Sequence, residues 1–438
     1  MMVAMDSKVT DALDALRELG TPAEIRDLAE RGYGPKTPPP VNSHIHLPPN
    51  FSAFDSVEQA VSLAAEQKIG VLGVSNYYDY EVYGDFVERA RSRGIFPLFG
   101  LEIISMQAEL RDAGIKVNDP GNPGKTYLCG KAITQFDRMS PEAARLLATI
   151  RKNDSDRMAA MTGRMGDAFR SRGFEAGVDE SAVVEMIVTR HGSPRSTVYL
   201  QERHISQAFQ ESLFQRVSPE KRVAFLSEVC GTAIKVANPN DHVAVQNELR
   251  SHLMKAGKVA FVEEQFLSFD EARRLVLKLG GIPSYPVLAD GASPICQFEA
   301  DADGLIRELQ SRGVHAAEWI PVRNSTHVLE EYVPKMRAAG LAVTAGTEHN
   351  TLDLIPFDPS AKDGPLPPSI RALFWEGACV AAAHQFLSLH GECGYVDRDG
   401  RPNPDFESGE DRICQLAKIG AAVIQRYFDT CQETPSDR

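Results

Sequence analysis

The chain has 438 residues, 43% hydrophobic and 24% charged, with 47 Lys+Arg against 60 Asp+Glu and a formal net charge of -13. At ~100–200 residues per domain this supports two or three domains, or one large α/β domain with insertions, and a core that needs no disulfide or metal staple. The acidic balance argues against nucleic acid or an anionic membrane as partner, while a local basic pocket for a small anion stays open.

Seven cysteines, at 129, 230, 296, 379, 393, 414 and 431, are scattered and form no CxxC pair. They read as reduced thiols of a cytoplasmic protein, with neither a disulfide framework nor a thiolate zinc site. Asp6, Lys8 and Asp11 come too early for an apolar signal core, and no apolar run approaches the ~18 residues of a membrane span.

In chain order, Val9, Leu13, Leu16 and Leu19 share a helical spacing, and PKTPPP (35–40) ends that segment. Residues 41–46 predict a strand, Val57–Gln67 a helix, 69–76 a buried strand, Tyr80–Arg93 a helix and 95–104 another strand. This β-α-β-α-β cadence implies parallel strands with helical crossovers. It stops at about 145, where Met158, Met161, Met165 and Phe169 mark one face of a helical insertion, and the Met stripe reads as insertion core. Alternation resumes with a helix at Asp270–Leu279, a strand in GGIPSYPVL (280–288), a helix at Ala302–Arg312 and a strand in 315–322. A helix at Val328–Ala339, the strand LAVTAGTEHN (341–350) and helices over 375–391 and 412–428 complete the chain. The expected architecture is α/β: a parallel βα barrel in two parts (41–145 and 266–356). An N-terminal segment (1–40), a helical insertion (146–265) and a helical C-terminal extension (357–438) complete it. The amphipathic C-terminal helices suit either a cap on the barrel or a homo-oligomer face.

Functional side chains of such barrels project from the C-terminal ends of strands. His44 and His46, two apart on an extended segment, project to one side and can grip one ion. Glu102 follows an apolar strand, where a carboxylate is costly unless paired or ligating. By itself it reads as a salt-bridged strand end. Glu348 and His349 follow the strand LAVT, and Glu318 interrupts the apolar HAAEW. Together they suggest a divalent ion held by His44, His46, Glu102 and Glu348 or His349, with zinc, manganese and iron all compatible.

The run HIHLPPNFSAFDSVEQAVSLAAEQKIGVLGVSNYYD, followed by FPLFGLEI, resembles the PHP (polymerase and histidinol phosphatase) superfamily. GGIPSYP resembles its Gly-Gly-x-x…His-Pro element, and VTAGTEHN its closing Gly-Ser-Asp-x-His element. The insertion, with QERHISQAF, is similar to that of nucleotide-type phosphoesterases bearing an Arg-His signature. The resemblance spans about 42–350 and implies a distorted PHP-type barrel with metal-dependent hydrolase chemistry.

The departures from that pattern are systematic. Asn76-Tyr77 stands for Asp-His, Tyr127 for a histidine, Tyr285-Pro286 for His-Pro, and Glu348-His349-Asn350 for Asp-x-His. The resemblance implies that His44, His46, Glu102 and Glu348 form one complete metal site, while the lost histidines belong to further ions. A neutral phenol with a pKa near ~10 ligates zinc or manganese poorly, so one ion is expected. Tyr77, Tyr127 and Tyr285 are then candidate acid–base groups beside Glu102, or fillers of vacated space. Arg203 and His204 match the insertion signature and, with Lys125, Lys131 and Arg323, are the candidate ligands of an anionic substrate; taken singly, each is more simply a surface cation.

Three readings follow. The leading one is a metal-dependent hydrolase of a small anionic molecule, a phosphoester or related compound. The second is a mononuclear lyase or isomerase of a sugar acid or polyol with tyrosine acid–base groups. The third is a ligand-binding relative without catalysis. Retention of one whole ligand set argues against the third.

Overall fold

Short apolar runs and amphipathic helices alternate as their spacing predicts, and the computed structural model, which describes residues 13–432, closes them into a barrel. Its strands are β1 (Val41–Ile45), β2 (Val71–Val74), β3 (Phe96–Met106), β4 (Lys125–Lys131), β5 (Leu267–Ser268), β6 (Ile282–Val287), β7 (Ala316–Trp319) and β8 (Ala342–Ala345). They run in the order β1-β2-β3-β4-β6-β7-β8, with β5 beside β3. The ends meet where Ile45 bridges Glu348 and the His46 N–H donates to the Glu348 carbonyl at 2.8 Å. Gly346 permits that approach, because a Cβ there would lie 2.3 Å from the Cβ of His44.

The barrel departs from all-parallel at one strand. β4 is antiparallel to both β3 and β6. A parallel return needs a crossover of a dozen or more residues, usually helical. The connection from β3 to β4 is long enough but holds only the five-residue helix Ala108–Asp112, too short to cross the sheet as a packed crossover helix, and the chain comes back the other way. Side chains alternate across a strand, so Lys125, Tyr127, Cys129 and Lys131 share one face of β4. Lys125 and Tyr127 line a cavity at the barrel mouth, and Lys131 reaches Glu318 deeper inside.

Most barrel helices lie within a residue or two of their expected limits, including Val57–Glu66, Phe269–Lys278 and Ala302–Ser311, while the one expected from Tyr80 starts at Tyr83. At the N-terminus Leu13, Leu16 and Leu19 are buried, and Val9 lies outside the described residues. The helix Pro22–Glu30 starts afresh, its Thr21 and Glu24 forming a reciprocal cap.

Helix Pro141–Arg170 is continuous for 30 residues. Its first turns, with Ala143, Leu146 and Ile150, belong to the barrel core. Met158, Met161, Met165 and Phe169 belong to a second apolar core shared with Ile205, Phe209 and Leu249. The helical segments after it hold Glu202, Arg203, Arg250 and Lys255 around the barrel mouth.

Helices Pro368–Leu389 and Gly409–Gln432 pack on the barrel and on each other. Gln385 accepts from the Phe99 N–H and donates to the Pro97 carbonyl, both at 3.1 Å, so this extension seals β3 from behind. Among the described residues no helix is long and apolar enough to cross a membrane.

Candidate metal centre and its cavity

β1 delivers His44 and His46, and β3 delivers Glu102, all buried at the barrel interior. His46 Nε2 lies 3.2 Å from Glu102 Oε2, His44 Nε2 lies 3.7 Å from the same oxygen, and the two Nε2 atoms are 3.4 Å apart. Bonds of ~2.1 Å from one tetrahedral ion to its ligands give ligand–ligand edges of ~3.4 Å, so this triangle has the size of one face of such a site. Glu102 Oε2 is buried without a hydrogen-bond donor, which leaves its lone pairs for a cation. By donor type and by spacing, these three residues fit a divalent metal.

The neighbours fix the orientation of each donor. Tyr77 donates its hydroxyl to Glu102 Oε1 at 2.7 Å and stacks on His46 with ring centroids 5.3 Å apart, turning Oε2 toward the histidines. His44 Nδ1 lies 2.7 Å from Glu318 Oε2. A carboxylate only accepts, so Nδ1 carries the ring proton and Nε2 presents a lone pair to the triangle. Glu318 is fully buried and also pairs with Lys131, whose ammonium lies 3.2 Å from the Ser43 carbonyl. Burial opposes the Glu318 charge, but Lys131 and His44 outweigh it and hold the carboxyl down at about 2.

The triangle's Glu102 opens into a cavity of about 500 Å³ between the barrel mouth and the insertion. Arg203, Arg323, Tyr77, Tyr78, Tyr127 and Glu348 face it too. Arg203 has no ion pair among the described residues and only the Phe51 ring beneath it, 5.9 Å from the guanidinium carbon. Burial, then the nearby Arg250, lower its pKa to about 10.

No family model and no curated protein matches this chain. Solved structures resemble it in fold, among them the following two. One is a candidate metal-dependent phosphoesterase from Bifidobacterium adolescentis, 12% identical, with a TM-score of 0.50 over 78% of this chain and 97% of that one. The other is an amidohydrolase from Chromobacterium violaceum, solved with sulfate and no metal, 16% identical, with a TM-score of 0.47 over 76% of this chain and 96% of that one. The likeness is one of fold, a βα barrel with added helices.

Not every residue expected at the site reaches it. Glu348 faces the cavity, but its carboxylate is engaged bidentately by Arg323, at 2.8 and 2.5 Å, and by Asn350. Arg323 keeps it ionised below the usual carboxylate range despite burial. His349 turns away: Nδ1 meets Thr347 Oγ1 at 2.7 Å, Nε2 meets the Ile355 carbonyl at 2.9 Å, and its ring packs between Phe54 and Phe357. Glu348 and His349 both have positive φ, 58° and 50°, and this left-handed pair sends their side chains to different surroundings.

Three further expectations differ from the structure for similar reasons. Tyr285 is buried with its hydroxyl on Glu299, 2.9 Å away, and it does not line the cavity. His204 is buried against Phe51 and accepts the Gln201 N–H at 3.0 Å, so it caps its own helix instead of meeting a ligand. Lys131 is the buried partner of Glu318, beneath the histidines and away from the cavity. Tyr77 and Tyr127 do face the cavity, but burial raises both pKa values, that of Tyr127 to about 12. They remain neutral phenols, donors and not bases.

Sequence reasoning noted Glu318 but gave it no role. Its signal was present, an acid in mid-strand among Ala316, Ala317 and Trp319. The cavity wall from the insertion (Asp154, Arg157, Glu202, Arg250 and Lys255) carried no such signal, because charges on helices usually face solvent.

Proposed function

We propose that this chain is a metal-dependent hydrolase acting on a small anionic substrate, a phosphoester or a related compound. The observation that carries this reading is the His44–His46–Glu102 triangle, whose Glu102 lines a cavity where Arg203 forms no ion pair with a described residue. A single divalent ion, zinc, manganese or iron, is the cofactor of this reading, held by His44, His46 and Glu102 with the remaining positions left to water and substrate. When bound, such an ion supplies Lewis acidity and a water of lowered pKa.

The protein's own groups do the rest. Glu318 keeps the proton on His44 Nδ1, and Tyr77 directs Glu102. Arg203 binds and orients the substrate's anionic group, and Arg323, already neutralised by Glu348, sets the edge of that subsite. The lyase or isomerase alternative needs a tyrosine base, and the raised phenol pKa values of Tyr77 and Tyr127 weigh against it. A ligand-binding protein without catalysis has no use for a buried acceptor left bare beside two imidazoles.

The test is elemental analysis of the wild type beside Glu102→Gln, followed by phosphate release from a panel of phosphomonoesters. About one metal per chain, lost in the variant together with phosphate release, supports the reading. A chain that takes up none of the three metals rejects it.

A further inference from the structure

An anionic group accounts for Arg203 but not for the rest of the cavity wall. Most charges of that wall are matched among themselves. Lys125 meets Glu264 at 2.8 Å and Asp119 at 3.4 Å, and Arg157 meets Glu202 at 2.7 Å and Glu264 at 3.1 Å. Lys255 meets Glu202 at 2.6 Å. These cations and carboxylates cancel, so together they offer no spare positive charge to a second anionic group. Arg250 is held more loosely: its ion pair with Glu202 is long, at 3.8 Å, and its Nε is buried without an acceptor. Its charge is felt at Arg203, so the two guanidiniums serve one anion together.

Three other polar groups of the wall are unspent. The hydroxyls of Tyr78 and Tyr127 and the carboxyl of Asp154 line the cavity, and none makes a side-chain hydrogen bond or ion pair with a described residue. Tyr78 lies within electrostatic reach of Asp154, Glu102 and Tyr127, which ties the three to the side of the donor triangle. Burial holds both phenols neutral, so each hydroxyl both donates and accepts.

On the hydrolase reading above, we infer that the substrate is the phosphate monoester of a sugar or polyol. Its single phosphoryl group is held by Arg203 and Arg250, and its uncharged, hydroxyl-bearing remainder lies along Tyr78, Tyr127 and Asp154. A ligand that fills the cavity takes these three groups away from water, and each then needs a partner. Hydroxyls serve all three, because a hydroxyl donates to a carboxyl oxygen and either donates to or accepts from a phenol. An alkyl chain serves none of them. A second phosphate on the ligand would meet carboxylates whose cations are already taken. The cavity, at about 500 Å³, has the size of a small-molecule site.

Sorbitol 6-phosphate and n-hexyl phosphate test this, since they share a six-carbon chain and a phosphate and differ in the hydroxyls. The metal-loaded wild type is expected to favour the sorbitol ester in kcat/KM by ~10²-fold or more, because a site built for hydroxyls rejects the analogue that lacks them. Tyr78→Phe and Tyr127→Phe each narrow that ratio ~10-fold. Reading the ratio cancels any loss common to both esters. Adenosine 5′-monophosphate does not exceed ribose 5-phosphate, nor fructose 1,6-bisphosphate fructose 6-phosphate, since the site has nothing for a base or a second phosphate. Calorimetry on the metal-free protein provides a reading without turnover, with sorbitol 6-phosphate binding more tightly than n-hexyl phosphate. Equal kcat/KM for the sorbitol and hexyl esters, a ratio unmoved in both tyrosine variants, or a gain from the base or the second phosphate overturns the substrate class and leaves the hydrolase reading standing. A metal-loaded wild type that releases phosphate from no ester overturns the hydrolase reading, whichever way the calorimetric preference falls.

Discussion

His44 Nδ1 lies 2.7 Å from Glu318 Oε2, and the other Glu318 oxygen pairs with Lys131, so a buried lysine, a carboxylate and an imidazole form one chain beneath the donor triangle. The chain fixes which histidine nitrogen is free to ligate. Without it, the His44 proton could sit on Nε2, where a bound metal needs a lone pair.

Glu318→Gln therefore has two expected effects. Metal affinity falls ~10–100-fold, measured by competition with a chelator. Folding stability falls by ~3–5 kcal/mol, because Lys131 is left buried without a counter-charge. The double substitution Lys131→Met with Glu318→Gln recovers much of the stability in thermal melts but none of the metal affinity. If the double variant binds metal like wild type, the tautomer argument is wrong.

The tyrosines that replace expected histidines divide into two kinds. Tyr77→Phe removes the donor on Glu102 Oε1 and lowers metal affinity and activity together, by ~10-fold or more. Tyr285→Phe leaves both near wild type, since its hydroxyl serves Glu299, and lowers stability by about 1 kcal/mol. Metal content and thermal midpoints of the two variants, measured side by side, check the division.

Much of this was legible in the chain. The two-residue spacing of His44 and His46 on a strand, and the carboxylate of Glu102 among Leu101, Ile103 and Ile104, anticipated that these three side chains meet, because strand periodicity decides which side chains share a face. The parallel cadence located the barrel, except at β4, where the connection carries only a five-residue helix and no packed crossover. The end of β8 was less readable. Consecutive left-handed residues at Glu348 and His349 reverse which side chain faces the cavity, and no local pattern announces that. Nor does sequence reveal that Asp154 and Lys125, distant along the chain, share one wall. Such placement is set by how the insertion folds back on the barrel.

Arg203→Met preserves most of the side chain's apolar stem and removes the charge. An anion-binding guanidinium contributes ~1.5–3 kcal/mol through charge-assisted hydrogen bonds, so KM for an anionic substrate rises ~10–100-fold. Added salt raises KM less in the variant than in wild type, because the charge that salt screens is gone. A KM unchanged by the substitution would remove Arg203 from the subsite.

Acid stability provides a check that needs no substrate. Burial lowers the pKa of His349, His384 and His315 to about 4 and that of His204 to about 3, from 6.5 in an unfolded chain. Between those values the unfolded chain binds protons that the folded chain refuses, so stability rises with pH across the interval. The contribution is fully present above about pH 6.5 and is lost as the pH falls toward 4. Glu318, held at about 2 against 4.5 unfolded, adds a second loss with the same sign at lower pH, starting near 4.5. The thermal midpoint of the metal-free protein is expected to fall in two stages on acidification. His384 accepts the Tyr395 N–H through Nδ1 and lies far from the metal centre, against Gly280. His384→Gln, which cannot take up a proton, makes the first stage shallower by its one-histidine share and leaves the second intact. A midpoint that stays level from pH 6.5 to 4.5 in wild type would mean that these histidines are not held neutral in the fold.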